Sequence, residues 1–123
     1  MSKKNILIVE DDQFFRELLT KKLSSEGFTM LEAANGESGV EMIKEKKPDL
    51  ILLDLLLPGI DGFEVLSKVK ADSNTSNIPV IILSNLGQQE DIERGLKLGA
   101  ADYLIKSQFD IDSIVEKVRS TIK

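Results

Sequence analysis

The stretch from Asp49 to Gly62, D-L-I-L-L-D-L-L-L-P-G-I-D-G, sets one acid, Asp54, inside the most apolar run of the chain. Four aliphatic residues precede Asp54 and three follow it. A run with so little polar alternation reads as a strand buried on both faces, and such strands belong mostly to parallel sheets covered by helices. An ionised carboxylate is costly in a core unless it is paired, hydrogen-bonded or metal-bound. Asp54 is therefore expected at the strand's carboxyl end, where the sheet opens. Pro58-Gly59 supplies the turn just beyond it.

A lone acid at a strand end often does no more than cap a neighbouring loop, so the weight of Asp54 depends on its company. Ile6-Leu7-Ile8-Val9 is a second apolar strand, and Glu10-Asp11-Asp12 follow it directly. In a doubly wound sheet the carboxyl ends of these two strands open on one crevice, which is where such sheets bind ligands.

Composition removes most rival chemistries. With 123 residues, 41% hydrophobic and 30% charged, the chain is expected to form one domain, 1–123, with a substantial core. It contains no cysteine and no histidine. Disulfides, thiolate catalysis, histidine zinc sites and serine-histidine triads are thereby excluded, which leaves carboxylates, hydroxyls and lysines. The absence of cysteine is compatible with a reducing cytosol, and a cytoplasmic location is expected. A net charge of −5 argues against direct nucleic-acid binding by counterion release. Met1-Ser2-Lys3-Lys4 begins like a signal peptide, but Glu10 interrupts the apolar run that follows. No stretch approaches the ~20 apolar residues of a membrane span, so no membrane association is expected.

Taken in order, Asn5 to Val9 is the first strand, and Asp12 or a neighbouring acid caps a helix with Phe15, Leu18, Leu19 and Leu23 inward. Gly27 ends that helix. Thr29 to Ala33 forms a short second strand. Asn35-Gly36 opens a helix with Val40 and Ile43 inward and a lysine-rich last turn, and Pro48 stops it. After the central strand, Asp61 and Glu64 have the spacing of a capping pair for a helix burying Phe63, Leu66 and Val69. Asp72 to Asn77 is a polar loop, and Ile78 to Ser84 a fourth buried strand with Pro79 near its start. Gln89 to Leu98 is a fourth helix, weakly anchored by Ile92, Leu96 and Leu98 with Gly95 inside it. Asp102 to Lys106 is the fifth strand, and a last helix from Ile111 to Ile122 presents Ile111, Ile114, Val115, Val118 and Ile122 to the sheet. Five strand-helix units with right-handed crossovers give an α/β three-layer sandwich, a doubly wound parallel sheet covered by helices on both faces.

The carboxyl ends of these strands carry Glu10, Asp11 and Asp12 from the first, Asp54 from the third, Ser84 from the fourth and Lys106 from the fifth. Clustered carboxylates repel one another unless a cation sits among them. Oxygen ligands without nitrogen or sulfur favour a hard ion, and an open site with few carboxylates suits Mg²⁺ better than a Ca²⁺ cage. A hydroxyl and an ammonium facing the ion are what a tetrahedral anion needs on its remaining oxygens. A strand-end lysine is usually solvated and a strand-end serine usually makes a turn. Their joint occurrence describes a phosphoryl site with Asp54 as the nucleophile.

On four segments the chain resembles a response-regulator receiver domain of bacterial two-component signalling: I-L-I-V-E-D-D at 6–12, L-L-D-L-L-L-P-G-I-D-G at 52–62, V-I-I-L-S at 80–84 and G-A-A-D-Y-L-I-K at 99–106. The resemblance implies a flavodoxin-like (βα)5 fold around a five-stranded parallel sheet of order 2-1-3-4-5, that Asp54 accepts a phosphoryl group and that Glu10 and Asp11 form the acidic pair, with Asp12 outside it. It implies that Asp11, Asp54 and the Leu56 backbone carbonyl bind Mg²⁺, with Glu10 reaching the ion through water. Lys106 then corresponds to the phosphate-binding lysine, Ser84 to the switch hydroxyl and Tyr103 to the switch aromatic. Lacking histidine, the chain would receive its phosphoryl group from a sensor histidine kinase or a phosphotransfer protein. Lys106 and Ser84 would close on the phosphate, and Tyr103 would rotate inward. The surface of helix four, strand five and helix five would then change for a downstream effector protein or domain, or for a phosphorylation-dependent homodimer. Tyr103 reads equally as a half-buried ring that anchors strand five.

Three positions depart from the family pattern. Ser107 stands where receiver domains usually have a proline after a cis peptide, and at this stage both peptide geometries stay open. Asn85 replaces a small residue beside Ser84, and Leu56 is apolar near the place of the attacking water; together they suggest slow self-dephosphorylation. The expected role is regulatory, the domain assisting only its own phosphorylation and dephosphorylation. One alternative is a receiver-like docking module that works without phosphorylation, which Mg²⁺ titration discriminates. A small-molecule aspartyl phosphatase needs a second acid two residues after the nucleophile, where this chain has Leu56. A flavin binder needs a hydroxyl- or glycine-rich loop after the first strand, where this chain has three acids. With no effector segment after residue 123, the sequence reads as a free-standing regulator or a receiver cut from a longer protein.

Overall fold

A computed structural model describes residues 3–122. Its elements alternate: β1 (Asn5–Val9), α1 (Gln13–Ser25), β2 (Thr29–Ala33), α2 (Gly36–Lys46), β3 (Leu50–Leu53), α3 (Gly62–Ala71), β4 (Val80–Ser84), α4 (Gln89–Lys97), β5 (Asp102–Ile105) and α5 (Ile111–Ile122). A 3-10 turn, Lys106–Gln108, links β5 to α5. All strand pairs are parallel, as the strand-helix alternation predicts, in the order β2-β1-β3-β4-β5 that the family resemblance implies. No helix among the described residues is long and apolar enough to cross a membrane.

The period-2 geometry of the strands divides the core into two halves. Leu7, Val9, Ile51, Leu53 and Ile82 point to one face and pack with Ile43 of α2 and Phe63, Leu66 and Val69 of α3. Ile6, Ile8, Leu50, Leu52 and Ile81 point to the other and pack with Leu19 and Leu23 of α1 and Ile114 and Val118 of α5. Burying each such side chain stabilises the fold by about 1.5–3 kcal/mol relative to exposure, which is why β1, β3 and β4 lack polar alternation.

Helix starts follow the side chains that cap them. Asp12 accepts from Phe15 N, Asn35 from Ser38 N and Asp61 from Glu64 N. Several apolar residues read as inward lie outside the core. Leu18 of α1 and Leu96 of α4 are exposed, so α4 is held chiefly by Gly95, its one buried residue, with Ile92 and Leu98 partly covered. The apolar run around Asp54 is also not one strand. Pairing ends at Leu53, Leu55 is buried, and Leu56 turns out to solvent. Hydrophobicity gave no sign of this break, because a buried loop residue and a strand residue look alike in composition. Pro79, which lacks a ladder N–H, falls before β4 rather than within it.

Candidate functional site

Register brings the acids together. Val9 pairs with Leu53, so Glu10 and Asp54 are the next residues on adjacent strands, and Asp54 N continues the ladder to Val9 O at 3.0 Å. Glu10 N likewise donates to Ala33 O at 2.9 Å. Both acids are buried, at 2% and 5% exposure, whereas Asp11 faces solvent. One carboxylate oxygen from each of Glu10, Asp11 and Asp54 falls within 4.8 Å of the others. Asp12 stays out of this cluster because its carboxylate is engaged as the α1 cap.

Lys106 reaches the cluster from the far side. It lies in the turn that follows β5, and its Nζ sits 3.1 Å from Asp54 Oδ2 and pairs with Glu10 Oε1. Burial alone would lower the Lys106 pKa, but the Glu10 hydrogen bond and the Asp54 charge outweigh it, so the ammonium is held above its ordinary range. Burial pushes the Glu10 carboxyl up to about 7, against the hydrogen bond from Lys106 and one from Asp12 N. Two buried acids and one buried cation leave the site short of positive charge. That electrostatic deficit, and a donor set made only of carboxylate oxygen, fit a hard divalent ion. The second Asp54 oxygen accepts from Leu56 N at 3.2 Å, which folds the chain back over the acid.

Ser84 is fully buried at the end of β4, its Oγ accepting from Leu86 N at 3.4 Å. Among the described residues no hydrogen bond joins Ser84 to Asp54 or Lys106. Tyr103 is only 9% exposed, and its hydroxyl donates to Leu86 O. The ring therefore already lies inward, as the reading of Tyr103 as an anchor of strand five expects, and not in the outward position from which the switch reading would have it rotate. Burial, then the charges of Asp91 and Asp54, push the phenol up to about 12. The Lys106–Ser107 peptide is trans, which resolves the geometry left open at Ser107.

Three residues with a part in the site were given no site role by the sequence. Arg16 donates from its guanidinium to Glu10 O at 2.8 Å and to Glu32 Oε1 at 3.0 Å, fixing the backbone of the acidic turn. Gly62 lies so close to the central strand that a Cβ would stand 2.3 Å from Asp54 O and 2.6 Å from Leu55 Cα. Phe15 places its ring 4.6 Å from Lys106 Nζ. Only Phe15 left a legible sign: an inward position in the first turn of α1 lies beside the carboxyl edge of the sheet.

The family model for the response regulator receiver domain matches residues 6–119. The chain belongs to this family. Among curated receiver proteins, the DNA-binding dual master transcriptional regulator RpaA of Synechocystis is 38% identical over 118 residues, covering 96% of this chain and 48% of RpaA. The chain spans about half the length of the curated relatives it matches. A putative response regulator from Chloroflexus aurantiacus superposes with a TM-score of 0.91 at 32% identity, covering 98% of both chains. The Mn²⁺-bound form of response regulator Rcp1 superposes at 0.84 with 29% identity, covering 95% of this chain and 92% of that one. The phosphorylated cyanobacterial phytochrome response regulator RcpA superposes at 0.83, also at 29% identity, covering 98% and 91%. The chain is the receiver domain of a response regulator, the regulatory component of two-component signal transduction.

Proposed function

We propose that this receiver domain is a phosphorylation-controlled switch in which Asp54 takes a phosphoryl group from a phosphohistidine on a partner histidine kinase or phosphotransfer protein. The observation that carries this reading is the Lys106 ammonium 3.1 Å from Asp54 Oδ2, beside a cluster of three carboxylates. An Asp54 oxygen attacks phosphorus, the P–N bond breaks, and the imidazole leaves with the bonding pair and recovers a proton from solvent. Lys106 is aimed at the oxygen side of the transferred group and compensates its negative charge. Asp11, Asp54 and the Leu56 carbonyl would hold Mg²⁺, with Glu10 acting through water. The ion would neutralise the charge that accumulates on the phosphoryl oxygens. The Mn²⁺ of Rcp1 and the phosphorylation of RcpA support both assignments by likeness.

The acceptor site is open to a donor. Asp11 faces solvent, and α1, which starts just after the acidic turn, exposes Phe14 at 79% and Leu18 at 44%. Apolar side chains at i and i+4 on one helix face are what a docking helix of the donor would cover. Output runs through Ser84 and Tyr103 to the face of α4, β5 and α5, where an effector domain or a second copy of the chain would read it. RpaA is a DNA-binding regulator by name; here direct DNA contact by the receiver is not proposed, given the net charge of −5. The reading places the protein in the cytoplasm, where its phosphodonors act.

The test is labelling by acetyl phosphate in the presence of Mg²⁺, read as a mass increase of the intact chain. Label that requires Mg²⁺ and disappears in Asp54→Asn is the expected result. Label that persists in Asp54→Asn would move the acceptor elsewhere.

A further inference from the structure

Lys106 has little to hold it apart from its side-chain partners. It opens a 3-10 turn, the next residue is Ser107, and Phe109 N closes the turn by donating to Lys106 O at 3.4 Å. Its ammonium meets Glu10 and Asp54, and the same nitrogen lies over the face of the Phe15 ring, 4.6 Å from the centroid. Phe15 is itself fixed to the acidic turn. Its backbone N–H donates to Asp12 Oδ1 at 3.2 Å, while Asp12 N donates to Glu10 Oε2 at 3.0 Å. The ring is thus carried by the backbone that carries the acids.

We propose that Phe15 is a positioning residue for phosphoryl transfer, its ring face keeping the Lys106 ammonium in the site as the nitrogen passes from the Asp54 carboxylate to a phosphoryl oxygen. This rests on the reading of Asp54 as the acceptor. When Asp54 becomes an acyl phosphate its carboxyl loses the full negative charge, so the partner that drew Lys106 inward is replaced by a phosphoryl oxygen in a new position. A hydrogen bond is directional and is lost on such a move. The attraction of a cation to a ring face varies gradually with position, so it persists while the ammonium moves by a fraction of its contact distance. An aliphatic side chain of equal size would fill the space without that attraction, and water would compete for the freed N–H.

The test compares Phe15→Leu, Phe15→Tyr and Phe15→Trp in the full chain with Mg²⁺, reading the acetyl phosphate labelling rate and half-saturation by beryllofluoride. Phe15→Leu is expected to weaken both by about three- to tenfold, the range of a partly desolvated cation–π contact, while the two aromatic variants restore them. Should Phe15→Leu fold poorly, site-specific fluorinated phenylalanines at position 15 keep the ring's shape and drain its face of charge. A graded loss along that series supports the proposal, and a flat series overturns it. So does a Phe15→Leu protein that matches the unsubstituted chain. Independently of phosphorylation, the Lys106 ε-methylene protons should resonate upfield through the Phe15 ring current and return to their random-coil position in Phe15→Leu; an unshifted signal overturns the contact. A chain that shows this shift but takes no label removes the acceptor reading and this role with it. A chain that labels equally well without the ring removes the role of Phe15 alone.

Discussion

The Tyr103 hydroxyl donates to the backbone carbonyl of Leu86, and the Leu86 N–H donates in turn to Ser84 Oγ at 3.4 Å. The two residues proposed as the switch are therefore joined through one residue of the loop between β4 and α4. Any displacement of Ser84 toward a phosphate on Asp54 would pull on Leu86 and so on the Tyr103 ring. Coupling through a shared backbone residue does not require the ring to travel from solvent to core, because it is inward at the outset.

Tyr103→Phe should break this link and leave the packing intact. The expected cost is about 0.5–1.5 kcal/mol, the net worth of one hydrogen bond, seen as a lower urea midpoint at unchanged slope. The variant should still accept label, since the Tyr103 hydroxyl bonds to Leu86 O and, among the described residues, not to the acids, but phosphorylation should no longer change hydrogen-exchange protection at Leu86. Labelling lost together with stability would place Tyr103 in the acceptor site instead.

Glu10 makes the ion-free protein sensitive to pH in a definite direction. Its folded pKa is raised from 4.5 to about 7, so between these values the native state binds more protons than the unfolded chain and stability falls as pH rises. The fall is bounded by about 3–4 kcal/mol, from ~1.4 kcal/mol per pKa unit, and it ends above pH 7. Lys106 acts elsewhere on the scale: its raised pKa gives stability that is lost only in strongly alkaline solution. Urea titrations from pH 4.5 to 8 without divalent ions should show the decline, and Glu10→Gln should flatten it. Saturating Mg²⁺ should flatten it too, because an ion bound at the acids favours the ionised carboxyl, so Mg²⁺ affinity should rise with pH through about 7.

Gly62→Ala tests how far the acceptor depends on its backbone neighbours. The added Cβ would meet Asp54 O at 2.3 Å and Leu55 Cα at 2.6 Å, both backbone atoms that cannot rotate away. Either α3 retreats or the β3 end moves, at about 1–3 kcal/mol for an overpacked contact. Calorimetry should show the lower transition, and labelling should fall more than Mg²⁺-free stability explains. A variant as stable and as readily labelled as the unsubstituted chain would show that the approach is looser than these distances.

The pattern of legibility has a physical reason. The alternation of strands and helices, the caps at Asp12, Asn35 and Asp61, and the bounds of α5 follow from local chemistry and period, which a sequence displays directly, whereas the strand order is set by long-range packing and was legible only through the family resemblance. The acids and Lys106 were legible because strand ends of a doubly wound sheet share one edge, so residues far apart in the chain need only the right register to meet. The exposure of Leu18, Leu56 and Leu96 was not legible, since an apolar residue carries no mark of the face it takes. Nor were the close approaches at Gly62 and Gly95, which exist only once two elements are packed together. Phe15 lay between these cases: its inward direction could be read, but the ammonium it meets comes from the opposite end of the chain.

Gly95 bears on the switch through space rather than through hydrogen bonds. A Cβ there would lie 2.5 Å from Ile82 Cδ1 and 3.1 Å and 3.4 Å from the Tyr103 ring atoms Cδ2 and Cε2, so α4 approaches β4 and β5 only because the side chain is missing. In Gly95→Ala two effects oppose each other. Helix propensity favours alanine by about 1 kcal/mol, while the clash forces the Ile82 methyl, the Tyr103 ring or the whole helix aside. The crowded atoms belong to side chains rather than to backbone, and Tyr103 is the more exposed of the two, so the variant should fold with stability close to that of the unsubstituted chain but with Tyr103 displaced outward. Because Tyr103 is the chain's only tyrosine and tryptophan is absent, alkaline titration of tyrosinate absorbance reports on this ring alone. Its midpoint should drop from about 12 toward the ordinary 10.0 as burial is relieved. A midpoint unmoved in Gly95→Ala would mean that α4 had shifted instead, and the displaced face of α4, β5 and α5 should then change partner affinity without phosphate.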